Sequence, residues 1–138
     1  MALLGFSNWT DEELVAECER LCRGVSEAKV LKPARDDAID EVIKVRETLR
    51  ARGADSLRKL LPLLSSDDPE CRLEAAMTCE ALDPERALAV LKELATAPGT
   101  RATYAGLNAW MHLLTTNPDF RNTVAAQMER AFGPLAKP

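Results

Sequence analysis

Three polar-residue–proline pairs restrict what this chain can fold into more than any other feature. Asp68-Pro69, Asp83-Pro84 and Asn117-Pro118 each set a short polar side chain directly before a proline. Proline is tolerated at the first position of a helix, where its missing N–H would be unsatisfied anyway. The Asp or Asn before it can accept the free amides of the first turn. Repeated at this spacing, the pairs divide the second half of the chain into helices joined by short turns, so neighbouring helices must be antiparallel. No alternating apolar–polar run of strand length interrupts them.

The first half carries different signals of the same kind. Thr10-Asp11-Glu12-Glu13 is a capping box, in which the Thr10 hydroxyl and the Glu13 carboxylate each accept from the other's backbone amide. Leu14, Val15, Cys18, Leu21, Cys22 and Val25 then recur at helical spacing, and Gly24 is the expected stop. Lys32-Pro33 breaks the chain, because the residue before a proline is pushed out of the α region. A second helix is expected over 33–52, with Ala38, Ile39, Val42, Ile43, the stem of Arg46 and Leu49 inward. Its charged face is expected to carry an Asp40–Lys44 pair. Gly53 ends it. Beyond it, Asp55 or Ser56 is expected to cap a short helix that Pro62 distorts. A helix to Leu82 turns Leu73, Ala76, Cys79 and Leu82 inward, and the next does so with Ala87, Leu88, Leu91 and Leu94. Thr100 opens another, offering Tyr104, Leu107, Trp110, Met111 and Leu114 to the core. Phe120, Val124, Met128 and Phe132 mark the last.

Composition agrees with an all-α fold of seven or eight helices. The chain has 138 residues, 46% of them apolar and only 4% aromatic, and it is rich in the strong helix formers Ala and Leu. Residues 1–53 and residues 54–138 each hold 9 basic and 11 acidic side chains, which sum to the net charge of −4. Without a basic block, general nucleic-acid binding is disfavoured. No run approaches the length of a membrane helix, and 1–6 lack the positive flank of a secretory signal, so a soluble cytoplasmic protein is expected.

An offset of 31 residues aligns part of the chain with itself: Leu57 with Leu88, Leu60 with Leu91, Leu63 with Leu94, Leu73 with Tyr104 and Leu82 with Leu113. The unit is one helical hairpin. Its first copy resembles a HEAT repeat in Leu60-Leu61-Pro62-Leu63-Leu64, Asp67-Asp68-Pro69, Arg72-Leu73-Glu74-Ala75-Ala76 and Ala81-Leu82. Ala75 and Ala76 would permit close helix approach, and Asp67 or Asp68 could pair with Arg72. The order of elements is also similar to a group of small bacterial HEAT-like proteins of unknown function. The resemblance implies a right-handed stack of antiparallel helical hairpins, an α-α superhelix, in a cytoplasmic bacterial setting. It implies no catalytic residues. One domain is expected: N-terminal helices over 1–53, two HEAT-like hairpins over 54–116, and a C-terminal capping helix and tail over 117–138.

The chemistry-bearing residues read as structural. Cys18, Cys22, Cys71 and Cys79 form no C-x-x-C pair and sit at helical spacing among apolar neighbours, as small core residues do. His112 is the one histidine, and the acidic run Asp36, Asp37, Asp40 and Glu41 lacks the histidine that would complete a metal set. The expectation is therefore a protein that is not an enzyme and uses no metal or cofactor. Trp9, Tyr104 and Trp110 are ordinarily core residues in so aromatic-poor a chain and are the aromatic candidates for an interface, while Trp9, just before the capping box, could instead staple the first helix. The resemblance places the binding face on the second helices of the hairpins, with Arg72, Glu80, Arg101, Tyr104 and Asn108 as candidate partner-binding residues. The expected function is a protein-interaction module, as adaptor or homo-oligomer. The alternatives are an immunity protein that inhibits one bacterial toxin and, least favoured, DNA binding of the kind HEAT-like glycosylases show.

Overall fold

A computed structural model describes residues 5–27 and 32–134. The stretches 1–4 and 28–31 lie outside the described residues, as does most of the tail expected after the last helix. Among the described residues the fold is all-helical: α1 (Asp11–Glu27), α2 (Lys32–Arg52), α3 (Ala54–Leu57), α4 (Pro69–Thr78), α5 (Pro84–Thr96), α6 (Tyr104–Thr116) and α7 (Pro118–Phe132). A 3-10 segment, Arg58–Ser65, continues α3 and contains Pro62. Proline removes a donor from the α ladder, and the tighter 3-10 winding is the local solution.

The caps form as their residues dictate. Thr10 and Glu13 exchange hydrogen bonds at 2.9 and 3.1 Å. Asp68 accepts from the Cys71 amide at 3.0 Å, Asp83 from Arg86 and Asn117 from Phe120. Gly53 has φ 114, a left-handed conformation that side chains rarely adopt, and it separates α2 from α3.

Packing follows chain order. α1 pairs with α2, the 3-10 segment with α4, α5 with α6, and α7 closes on α6. α4 is central, touching α1, α5 and α6 as well. One continuous core joins Leu14 and Cys18 of α1, Val45 and Leu49 of α2, Leu60 of the 3-10 segment, Ala75 and Cys79 at α4, Leu91 of α5 and Leu113 of α6. Asp11 stitches the N-terminal pair to α3 and the 3-10 segment. Its carboxylate accepts from Ser56 at 2.7 Å, Arg52 at 2.9 Å and Lys59 at 3.1 Å. These bonds, led by that from Ser56, hold its carboxyl down at about 2.

Several sequence expectations are corrected. α1 runs through Gly24 to Glu27, because a lone glycine inside a well-packed helix weakens it without ending it. α2 buries Val42, Val45 and Leu49, so its stripe is rotated from the expected one and Ile43 is 39% exposed. Lys44 pairs with Glu41 rather than Asp40. α3 has Gly53 at its N-cap position, with no side-chain cap from Asp55 or Ser56. α4 stops at Thr78, and Leu82 lies in the turn beyond it. α6 starts at Tyr104, capped by Thr103, not at Thr100.

The longer turn before α6 explains the irregular repeat. Between Leu60 and Leu91, or Leu63 and Leu94, the offset of 31 joins buried residues. In the second helices the burial pattern instead repeats at 34: Cys71 with Ala105, Ala75 with Ala109 and Cys79 with Leu113, all at most 1% exposed. Gly106 also acquires a reason. A Cβ there would collide with the Thr100 carbonyl oxygen and meet the Leu94 carbonyl oxygen at 2.8 Å, so only glycine lets α6 cross this turn so closely.

Candidate functional site

The second helix of each pair contributes to one face. α2, α4 and α6 together border a shallow groove of about 160 Å³. Its walls include Ile39 and Ile43 from α2, Leu73 and Met77 from α4, and Tyr104 and Asn108 from α6. The ion pair Arg46–Glu74, at 3.2 Å with side chains 21% and 14% exposed, ties α2 to α4 beneath it. Glu74 also accepts from the Thr78 hydroxyl at 2.9 Å. Where α6 leaves the groove it carries Leu107 and Met111, 53% and 55% exposed. α6 turns the small residues Ala105, Gly106 and Ala109 inward and leaves the larger Tyr104, Leu107 and Met111 at the surface. That reverses the expectation that these three fill the core; Trp110 and Leu114 do pack against it, half-buried.

A larger cleft of about 600 Å³ opens where α1 ends and α2, α4 and α6 begin. Tyr104 and Glu70 border both this cleft and the groove. The Arg35 guanidinium stacks over the Tyr104 ring, 4.5 Å from its centroid. Glu70 is only 7% exposed. Burial pushes its carboxyl up to about 7, with Asp68 and Glu74 adding to the shift and Arg35 opposing it. Neither Glu70 nor Arg35 forms an ion pair among the described residues, although both line this cleft. The Ser26 hydroxyl and the Arg35 Nε are shielded from water without a hydrogen-bond partner.

The five residues singled out from the sequence fall in three places. Arg101, Tyr104 and Asn108 border the cleft or the groove. Arg72 instead donates to Glu93 of α5 at 2.8 Å, with its own side chain only 15% exposed. The Asp67 expected to pair with it binds Arg23 at 2.7 Å. Glu80 lies just beyond α4 and faces His112 at 3.2 Å. Arg35, Glu70 and Ser26 were not anticipated. A glutamate in the first turn of a helix ordinarily serves the helix dipole, so its type and position give no hint that this one is buried.

The four cysteines are free and buried. Hydrogen bonds with Cys18 and Cys71, together with burial, push the Cys22 thiol far up; burial pushes Cys79 up to about 11. Thiols held protonated in this way are poor nucleophiles. Among the described residues no three His, Cys, Asp or Glu side chains are arranged to hold a metal ion. No described helix is long and apolar enough to cross a membrane. Trp9 packs on the core and edge-on to Phe6, ring centroids 5.1 Å apart.

Residues 19–113 match the family described as a domain of unknown function, DUF2019. The chain belongs to this family. The matched stretch begins inside α1 and ends inside α6, so it spans both the groove and the cleft. No curated protein and no solved structure matches the chain.

Proposed function

We propose that this DUF2019 protein is a non-catalytic interaction module that holds a partner protein against the groove of α2, α4 and α6. In this reading the helix pairs are HEAT-like hairpins stacked as a right-handed superhelix, and their second helices line the recognition face. The observation that carries it is the outward stripe of Tyr104, Leu107 and Met111 on α6, continuous through the groove with Met77 and Ile43. Large apolar side chains grouped on one face mark an interaction site, and methionines adapt to varied partner shapes. The occupant that fits is an amphipathic partner helix with apolar anchors and a basic flank. The flank answers the chain's net charge of −4. An immunity protein that blocks one toxin would use the same face.

The test is a comparison of tagged chains in the source cell's lysate, wild type against the double substitution Leu107→Asp and Met111→Asp. Both side chains are more than half exposed, so the variant is expected to fold, which a thermal melt checks. A stoichiometric partner retained by the wild type and lost by the variant supports the reading. The same partner held equally by both excludes this face. A captured enzyme that the wild type inhibits would sharpen the reading to the immunity protein.

A further inference from the structure

The cleft at the start of α2, α4 and α6 holds two opposite charges that do not pair with each other. Glu70 is more than nine-tenths buried and makes no hydrogen bond or ion pair among the described residues. Among the described residues Arg35 likewise has no acceptor, its Nε is shielded from water, and its one specific contact is the stack on Tyr104. Arg101 lines the same cleft, also with no ion pair among the described residues. A shielded charge without a partner is costly, and two of opposite sign around one open space are compensated together by a group bearing both complements.

We propose that this cleft binds a free α-amino acid with an apolar side chain. The ammonium group donates to the Glu70 carboxylate, and the carboxylate accepts from the guanidinium of Arg35 or Arg101. The side chain lies against Val25, Pro69 and Ala105, beside the Tyr104 ring. The cleft's volume of about 600 Å³ falls in the range of small-molecule sites. A simple anion fits less well, because it would meet Arg35 while adding negative charge beside Glu70, Asp68 and Glu74. A simple cation would leave Arg35 without an acceptor. The proposal stands apart from the protein-docking reading, although Glu70 and Tyr104 border both surfaces.

The charged groups around Glu70 predict how binding varies with pH. Burial first, then Asp68 and Glu74 of the α4 side, hold its proton on, while Arg35 of α2 works against them. An ammonium ligand prefers the ionised carboxylate. Affinity therefore rises with pH to about 7 and levels off above it, with a slope approaching tenfold per pH unit on the acid side.

Titration calorimetry of the whole chain at about pH 8 tests this, with L-leucine and L-phenylalanine as probes. 4-Methylpentanoic acid, which lacks the amine, and isopentylamine, which lacks the carboxylate, are the controls. The expected result is saturable binding of at least one amino acid, with each control weaker by about tenfold or more. Glu70→Gln is expected to weaken binding by a similar factor and to flatten its pH dependence. Arg35→Met should weaken it while Arg35→Lys retains part of it, and thermal melts of each variant show whether it is folded. No heat from either amino acid at about 10 mM overturns the proposal. So does equal binding of 4-methylpentanoic acid, which would mark an anion site, or of isopentylamine, which would mark a cation site.

Discussion

α4 and α6 carry the same pattern and meet different surroundings. With an offset of 34, Cys71, Ala75 and Cys79 correspond to Ala105, Ala109 and Leu113, all buried. On the neighbouring face Leu73 and Met77 correspond to Leu107 and Met111. There the environments part: Leu73 is 7% exposed and Leu107 53%. The difference lies in what covers each helix. α1 packs across α4, and its Cys22 and Val25 line the groove together with Leu73. No described element does the same for Leu107. A leucine that is covered on α4 and open on α6 shows where the packing of the described elements stops. The apolar pattern continues past that point, which is why this surface carries the functional reading.

Truncations at the matched positions are the most direct way to break the comparison. Leu73→Ala removes a covered side chain and should cost about 2–4 kcal/mol in denaturant unfolding. Leu107→Ala should change stability by no more than about 0.5 kcal/mol. Similar losses at both sites would mean that α6 is covered in solution.

Glu70, at the edge between the two helices, gives the next largest effect. Its carboxyl is raised from 4.5 to about 7, so the folded chain holds a proton that the unfolded chain releases between these values. Its contribution favours the folded state below about pH 4.5 and is lost as pH rises through about 7. Glu70→Gln should therefore be more stable than wild type at about pH 8, by up to about 3 kcal/mol, with the gain gone at about pH 4. An unchanged pH profile would show that Glu70 is ionised and paired in solution.

Gly106 sharpens the same contrast from the backbone side. Gly106→Ala should lose about 1–3 kcal/mol, since the new methyl meets backbone atoms that cannot rotate away. A neutral result would mean that the turn before α6 yields. A smaller effect than at Gly106 is expected at Asp11, where Asp11→Asn weakens the bonds to Arg52 and Lys59. Its carboxyl is depressed, so its stabilisation is present above about pH 4 and lost as pH falls towards 2. Screening at this partly exposed site reduces the expected loss at neutral pH to about 1–2 kcal/mol by thermal melting.

Helix starts were the most legible part of the fold, because a capping side chain followed by proline acts locally. The capping box at Thr10 and the three proline starts all form with the residues the sequence indicates. Helix faces were less legible. In α6 the helical period admits either a bulky or a small inward face, and close approach to the preceding turn at Gly106 selects the small one. That choice turns Leu107 and Met111 outward. The cleft was least legible. Arg35 sits in a charge run that reads as a solvated face, and Glu70 in a first turn that reads as dipole charge. Only the meeting of four helix ends brings them together, and no local signal records that meeting.

The claim that the outward face of α6 receives a partner is tested most directly by placing a photo-crosslinking residue at Leu107 and, separately, at Gln127 on the exposed side of α7. Crosslinking in the source cells should yield one dominant adduct from position 107 and none of comparable strength from position 127. Adducts of equal strength at both positions, or from 127 alone, would contradict the account.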